Sequence, residues 1–192
     1  MRYPKEHKEI THRRVVEIAS NRFRKEGVGA VGVATLMADA GLTHGGFYNH
    51  FSSKEDLIEE AIVGAMESTF ARVLQRVEAD GIEPFIRSYL RPAHRDHPET
   101  GCAVAALAAE IARRPKSTRA AFTKRVSKLI SFIEARLPKR DAAVAQAIFS
   151  ILVGTLQLAR AVSDSKLSNQ LLRAGENAAL ALVGTLQQTK NN

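Results

Sequence analysis

Apolar residues in this chain recur at helical spacing, and no window alternates as a strand would. Val15, Ile18, Ala19 and Phe23 share one face of a helix predicted from Thr11 to Glu26, which Gly27 stops. Gly27, Gly29 and Gly32 form a joint in which left-handed or tight-turn geometry is available. A short helix follows over Val33–Ala40, with Leu36 and Ala40 inward and Gly41 as its C-terminal cap. Another spans Thr43–Phe51, with Thr43 as N-cap and Phe47 and Phe51 turned toward Val15 and Phe23. Ser52 or Ser53 caps a long helix striped by Leu57, Ile58, Ala61, Ile62, Ala65, Met66, Phe70, Val73 and Val77, ending at Asp80-Gly81. Further helices are predicted at Glu83–His94, Ala103–Arg113, Lys116–Leu137, Asp141–Val162 and Ser168–Thr189.

The pattern therefore predicts an all-α fold. Residues 8–52 form an N-terminal helix-turn-helix domain of three helices, and residues 53–192 form a six-helix C-terminal bundle for dimerisation and ligand binding. The last two helices are rich in Ala, Leu, Val and Gly with little charge to cover their outer faces, so a homodimer through them is expected. Ala142 to Ala159 carries no charge, a length approaching a membrane span. Gln146, Ser150, Gly154, Thr155 and Gln157 interrupt it, and the expectation is a helix buried all round within the bundle, with no membrane partner.

Charge adds less than it first promises. Lys and Arg total 28 against 20 acids, a net charge of +8 that favours a polyanionic partner only weakly. Residues 1–54 hold nine Lys/Arg against five acids, whereas residues 113–140 hold ten against Glu134 alone. The second run reads as the solvated face of an amphipathic helix, with an anion-binding surface as the alternative. Cys102 is the sole cysteine, so no internal disulfide forms and a reducing, cytoplasmic location is expected. The charged N-terminus lacks a following apolar stretch, so no signal peptide is read.

Chemistry concentrates in the third helix. With Phe47 and Phe51 inward, Thr43, His44, Tyr48, Asn49 and His50 project outward, carrying hydroxyl, amide and imidazole groups suited to base edges and phosphates. Gly45 and Gly46 are poor helix formers, costing roughly 1 kcal/mol each relative to alanine, and close backbone approach to a groove wall is one reason to keep them. Lys54 adds a cation at the next helix start.

Thr11–Leu57 resembles the DNA-binding domain of the TetR/AcrR family of bacterial transcriptional regulators. The likeness rests on Arg14-Val15-Val16, Phe23-Arg24-Lys25-Glu26-Gly27, Ala40-Gly41-Leu42-Thr43, Phe47-Tyr48-Asn49-His50-Phe51 and Ser53-Lys54-Glu55-Asp56-Leu57. The resemblance implies that Tyr48, His50 and Lys54 hold phosphates, while Thr43, His44, Gly45 and Asn49 face bases or backbone. It also implies a double-stranded operator as partner, a small-molecule effector, and a repressor released from a palindromic site when the effector binds. Val31-Gly32-Val33-Ala34 departs from the family's hydroxyl and polar residues at the second helix start, and Gly46 lacks a side chain where a small hydroxyl is frequent. Readout is therefore expected to lean on DNA shape.

The effector pocket is expected between Leu57 and Leu137, with Phe70, Leu74, Phe85, Tyr89, Leu107, Phe122 and Ile130 as walls and a mainly apolar ligand; ordinary core packing is the alternative. His94, Asp96, His97, Glu99 and Cys102 cluster without regular ligand spacing, so a polar loop is read there rather than a metal site. Cys102 follows Gly101 at a helix start and is a candidate thiol sensor, a small packing residue being the plainer reading. Glu9-Ile10-Thr11-His12 is a single Glu-x-x-His where a di-iron bundle needs two, and no phosphate loop or nucleophile elbow is present. No enzyme activity, cofactor or metal is expected.

Overall fold

The computed structural model describes residues 5–188, with side chains given for all of these except 5, 72, 75–80 and 188. Val77 of the predicted stripe and Thr189 of the last predicted helix lie outside the described side chains and residues. The described chain is all helical. Helices α1 (Lys5–Glu26), α2 (Val33–Asp39) and a 3₁₀ helix (His44–Asn49) lead into α3 (Lys54–Asp80). Helices α4 (Ile82–Tyr89), α5 (Pro92–Asp96), α6 (Ala103–Ile111), α7 (Lys116–Glu134), α8 (Ala142–Ala161) and α9 (Ser165–Gln188) follow, with a 3₁₀ turn (Pro98–Thr100) before α6.

The N-terminal helices close over one aromatic core. Val15, Ala19, Phe23, Leu36, Met37, Phe47 and Phe51 are all fully buried, with Phe47 stacked on Phe51 at 5.3 Å between ring centroids. Gly27 turns the chain at φ 85°, and Gly41 ends α2 at φ 72°, conformations that any side chain would strain. Gly32 caps α2 in an extended conformation without a side-chain bond, as the weak second-helix start predicts. Ser53 starts α3 properly: its Oγ accepts from the Asp56 N–H at 3.1 Å, while Asp56 accepts from the Ser52 N–H and hydroxyl.

Three expectations change. The 3₁₀ geometry of His44–Asn49 replaces an α-helix, because Gly45-Gly46 gives little intrinsic support to a helix and Thr43 makes no side-chain cap. The helix predicted over Glu83–His94 breaks at Leu90-Arg91, where Pro92 cannot donate into a continuing helix and instead opens α5. Helix α8, the one described helix long and apolar enough to cross a membrane, is not buried all round: Ala145, Ile148, Leu152, Leu156 and Ala159 line a single buried face. Helices α9, α7, α6 and α5 pack against it. Leu158 at its outer side remains 57% exposed.

Helices α8 and α9 pack most extensively of all, and Gly175 makes that possible. A Cβ there would lie 2.3 Å from the Thr155 hydroxyl, so only glycine allows this crossing. Helix α3 runs against both α1 and α7 and carries the connection between the two ends of the molecule.

Candidate nucleic-acid interface and regulatory cavity

The 3₁₀ helix sorts its side chains by their spacing. Phe47 faces the core at 1% exposure while its neighbour Tyr48 stands 73% exposed, with the two rings edge to face at 5.3 Å. Thr43, His44, Gly45 and Asn49 are exposed as well. A Cβ built on Gly45 meets nothing within 4 Å, so internal packing gives no reason for glycine there. The surface therefore offers phenol, imidazole, amide and bare backbone together to anything that approaches it.

His50 and Lys54 are placed differently from the rest. His50 is half-buried and its Nδ1 is enclosed without a hydrogen-bond partner among the described residues. Burial first, then the nearby His12 and Lys8, holds its imidazole below the ordinary value. His12 stacks on Phe51 at 4.4 Å and meets Glu60 of α3 at 2.6 Å. Lys54 Nζ donates to the Val31 carbonyl at 2.8 Å and, more weakly, to that of Val28 at 3.5 Å. Its ammonium thus ties the α1–α2 joint to the start of α3. With three donor hydrogens it retains capacity for an outside acceptor.

A cavity of about 230 Å³ opens between α3, α4 and α5, lined by Thr69, Phe85, Ser88, Tyr89, Arg91 and Thr100 among others. A narrow apolar extension of about 30 Å³ runs inward past Cys102 to Met66, Phe132, Ile133 and Leu152. Of the predicted walls, Phe85 and Tyr89 line both compartments. Phe70, Leu74, Leu107, Phe122 and Ile130 line neither, although Phe70 packs edge to face on Phe132 at 5.3 Å. Leu107 is core at 1% exposure, one turn behind the cavity wall on α6. The spacing of apolar residues finds the core here but cannot tell wall from filling.

The polar loop is built around one peptide group. His94 Nδ1 lies 2.7 Å from the Tyr89 carbonyl, and its Nε2 accepts from the Cys102 N–H at 2.9 Å. The first contact requires hydrogen on Nδ1 and the second a lone pair on Nε2, so His94 is neutral in this arrangement. On the opposite edge of the same peptide, the Gly101 carbonyl accepts from Arg24 Nη1 of α1 at 3.2 Å. A Cβ on Gly101 would come within 2.8 Å of the His94 ring. Asp96 pairs with Arg95, and His97 with Glu99. Among the described residues, no three His, Cys, Asp or Glu side chains converge as a metal-holding set. Cys102, buried at the N-cap of α6, turns its thiol to the inner compartment rather than to solvent.

Sequence reasoning missed Glu110. Its Oε2 accepts from the Val28 N–H at 2.9 Å and the Gly29 N–H at 3.3 Å, joining the far end of α6 to the α1–α2 joint. The signal was present, since Glu110 is the only charged residue of α6. The basic run of residues 113–140 is partly spent internally: Arg114 reaches Glu55 at 3.3 Å, Arg125 reaches Glu67 at 2.9 Å, and Lys128 sits over the Phe70 ring. That favours a solvated helix face over an anion site.

A short helix-turn-helix with an exposed polar face is thus set on a cavity-bearing helical bundle. Residues 16–61 match the family model of bacterial regulatory proteins, tetR family. The chain is 32% identical over 65 residues to the HTH-type transcriptional repressor KstR2 of Mycobacterium tuberculosis (strain ATCC 25618 / H37Rv), covering 34% of this chain and 32% of that protein. It is 29% identical over 119 residues to the transcriptional regulator AcuR of Cereibacter sphaeroides, covering 58% and 54%. These matches thus span between about a third and about half of the curated relatives' lengths. A TetR transcriptional regulator of Chloroflexus aurantiacus superposes with a TM-score of 0.75 over 95% of this chain and 97% of that one, at 22% identity. Residues 16–61 thus match the DNA-binding domain of the tetR family, and the fold of the chain is the one found in that solved TetR regulator.

Proposed function

We propose that this protein is a transcriptional repressor that binds a two-fold-symmetric operator as a homodimer and leaves it when a small molecule fills the cavity beside Tyr89. In this reading residues 8–52 contact DNA and residues 53–192 regulate and dimerise. Thr43, His44, Gly45 and Asn49 face bases or groove backbone, while Tyr48, His50 and Lys54 hold phosphates. The apolar outer side of α8 and α9, including exposed Leu158 and Leu167, pairs with its copy.

The observation that carries ligand release is the Gly101–Cys102 peptide group. One edge is bonded to His94 at the cavity and the other to Arg24 in α1. A ligand that moves His94 therefore moves the carbonyl to which Arg24 of the DNA-binding domain donates, and Glu110 at the other end of α6 grips the next joint. Release follows if the liganded arrangement spaces the two reading heads badly for successive major grooves, about 34–36 Å apart. The coupling then equals the ligand's preference for that arrangement over the DNA-bound one.

Selection of bound duplexes from random DNA, followed by sedimentation of the complex, tests the reading. Dyad-symmetric sites carrying two protomers are expected. Enrichment of sites without two-fold symmetry, or one protomer per site, would overturn it.

A further inference from the structure

The cavity's chemistry differs from the mainly apolar ligand that the sequence predicts. Its inner extension is almost wholly hydrocarbon, walled by Met66, Leu129, Phe132, Ile133, Phe149 and Leu152. The outer chamber carries Thr69, Ser88, Thr100 and the Arg91 guanidinium, with His97 at its side. Among the described residues no Asp or Glu lines either compartment, and Arg91 makes no ion pair.

Tyr89 marks the border, since it lines both compartments. Its Oη is buried and has no hydrogen-bond partner among the described residues. A buried hydroxyl left unmade costs about 1–3 kcal/mol, which a ligand acceptor would recover. Burial first, and then the Cys102 thiol, which acts electrostatically without hydrogen-bond geometry, pushes the phenol well above its ordinary value. The group therefore stays a donor.

We propose that the cavity binds a compact amphipathic carboxylate, whose apolar body enters the inner extension and whose anionic head is held by the Tyr89 hydroxyl and Arg91. This assignment rests on the cavity being the effector site proposed above. The size limits the ligand: about 230 Å³ falls just under the roughly 300–1,000 Å³ of common ligand pockets, which suits a one-ring or short-chain acid. A cationic ligand would meet Arg91 with no carboxylate to hold it. A neutral ligand would leave Arg91 unused.

Calorimetry on the full chain, without DNA, tests this with benzoate, phenylacetate and hexanoate against the matching amides and amines. At least one acid is expected to bind about tenfold or more above its amide, the worth of a charge-assisted hydrogen bond. Tyr89→Phe should weaken that acid about tenfold while leaving the melting temperature unchanged or raised, because the lost hydroxyl has no partner. Arg91→Ala, at an exposed position, should abolish the acid-over-amide preference. No acid binding better than its amide overturns the proposal, as do a preference that survives Arg91→Ala and a Tyr89→Phe protein that melts lower. Failure of DNA binding would appear only in the operator assay, so the two readings fail separately.

Discussion

The reading head and the cavity deploy unsatisfied polar groups in opposite directions. Around the 3₁₀ helix, the core beneath is closed by Phe23, Phe47 and Phe51, and the polar groups of Thr43, His44, Tyr48 and Asn49 stand in solvent. Around α4, the exposed side is ordinary, while Tyr89 Oη is left unpaired inside. Outward capacity fits a partner larger than the protein. Inward capacity fits one that the protein can enclose. His50 blurs the division, because its Nδ1 is enclosed within the reading head.

Substitutions can break or sharpen this contrast, and adjacent residues do so best. Phe47→Ala, at 1% exposure, should cost about 3–5 kcal/mol and unfold the N-terminal helices, read by thermal denaturation. Lys54→Met should cost about 1–3 kcal/mol, because the Val31 carbonyl loses its cationic donor. Its operator affinity should also fall, in a salt-dependent way. The sequence assigns Lys54 a phosphate and no internal partner, so an unchanged melting temperature would restore that simpler view. Tyr48→Ala should change stability by no more than about 0.5 kcal/mol while weakening operator binding roughly tenfold, measured by titration of a selected duplex. Equal operator affinity in the variant would remove Tyr48 from the interface.

The smallest expected effect is protonic. His50 titrates below its ordinary value in the folded chain, so its neutral form stabilises the fold above about pH 6.5. That contribution is lost as pH falls through the lowered folded value. Melting temperature should therefore decline between about pH 7 and pH 5, less so in His50→Gln. A decline of the same size in the variant would assign it to another group.

Most of the fold was legible because apolar stripes and breakers coincide. Gly27, Gly41, Gly81 and Pro138 all fall between helices, as their backbone preferences dictate. The face of the 3₁₀ helix was also readable, since Phe47 and Phe51 four apart settle which side is buried. Its helix type was not, because Gly45-Gly46 supports no particular winding. The break at Pro92 lay within an otherwise good helical stripe, and periodicity outvoted the proline. Long-range polar bonds were beyond reach for another reason. Arg24 and Gly101 are 77 residues apart, and Val28 and Glu110 are 82, so no local pattern links them.

The bond that reaches Arg24 comes from main-chain atoms, and this has a consequence for how the chain can diversify. Every residue type except proline would supply the Cys102 N–H, and the Gly101 carbonyl needs no side chain at all. A lineage could therefore exchange the cavity side chains other than His94 to suit a new metabolite while the wiring to α1 stayed untouched. Recognition is free to drift, and transmission is held by His94, Arg24 and the peptide between them.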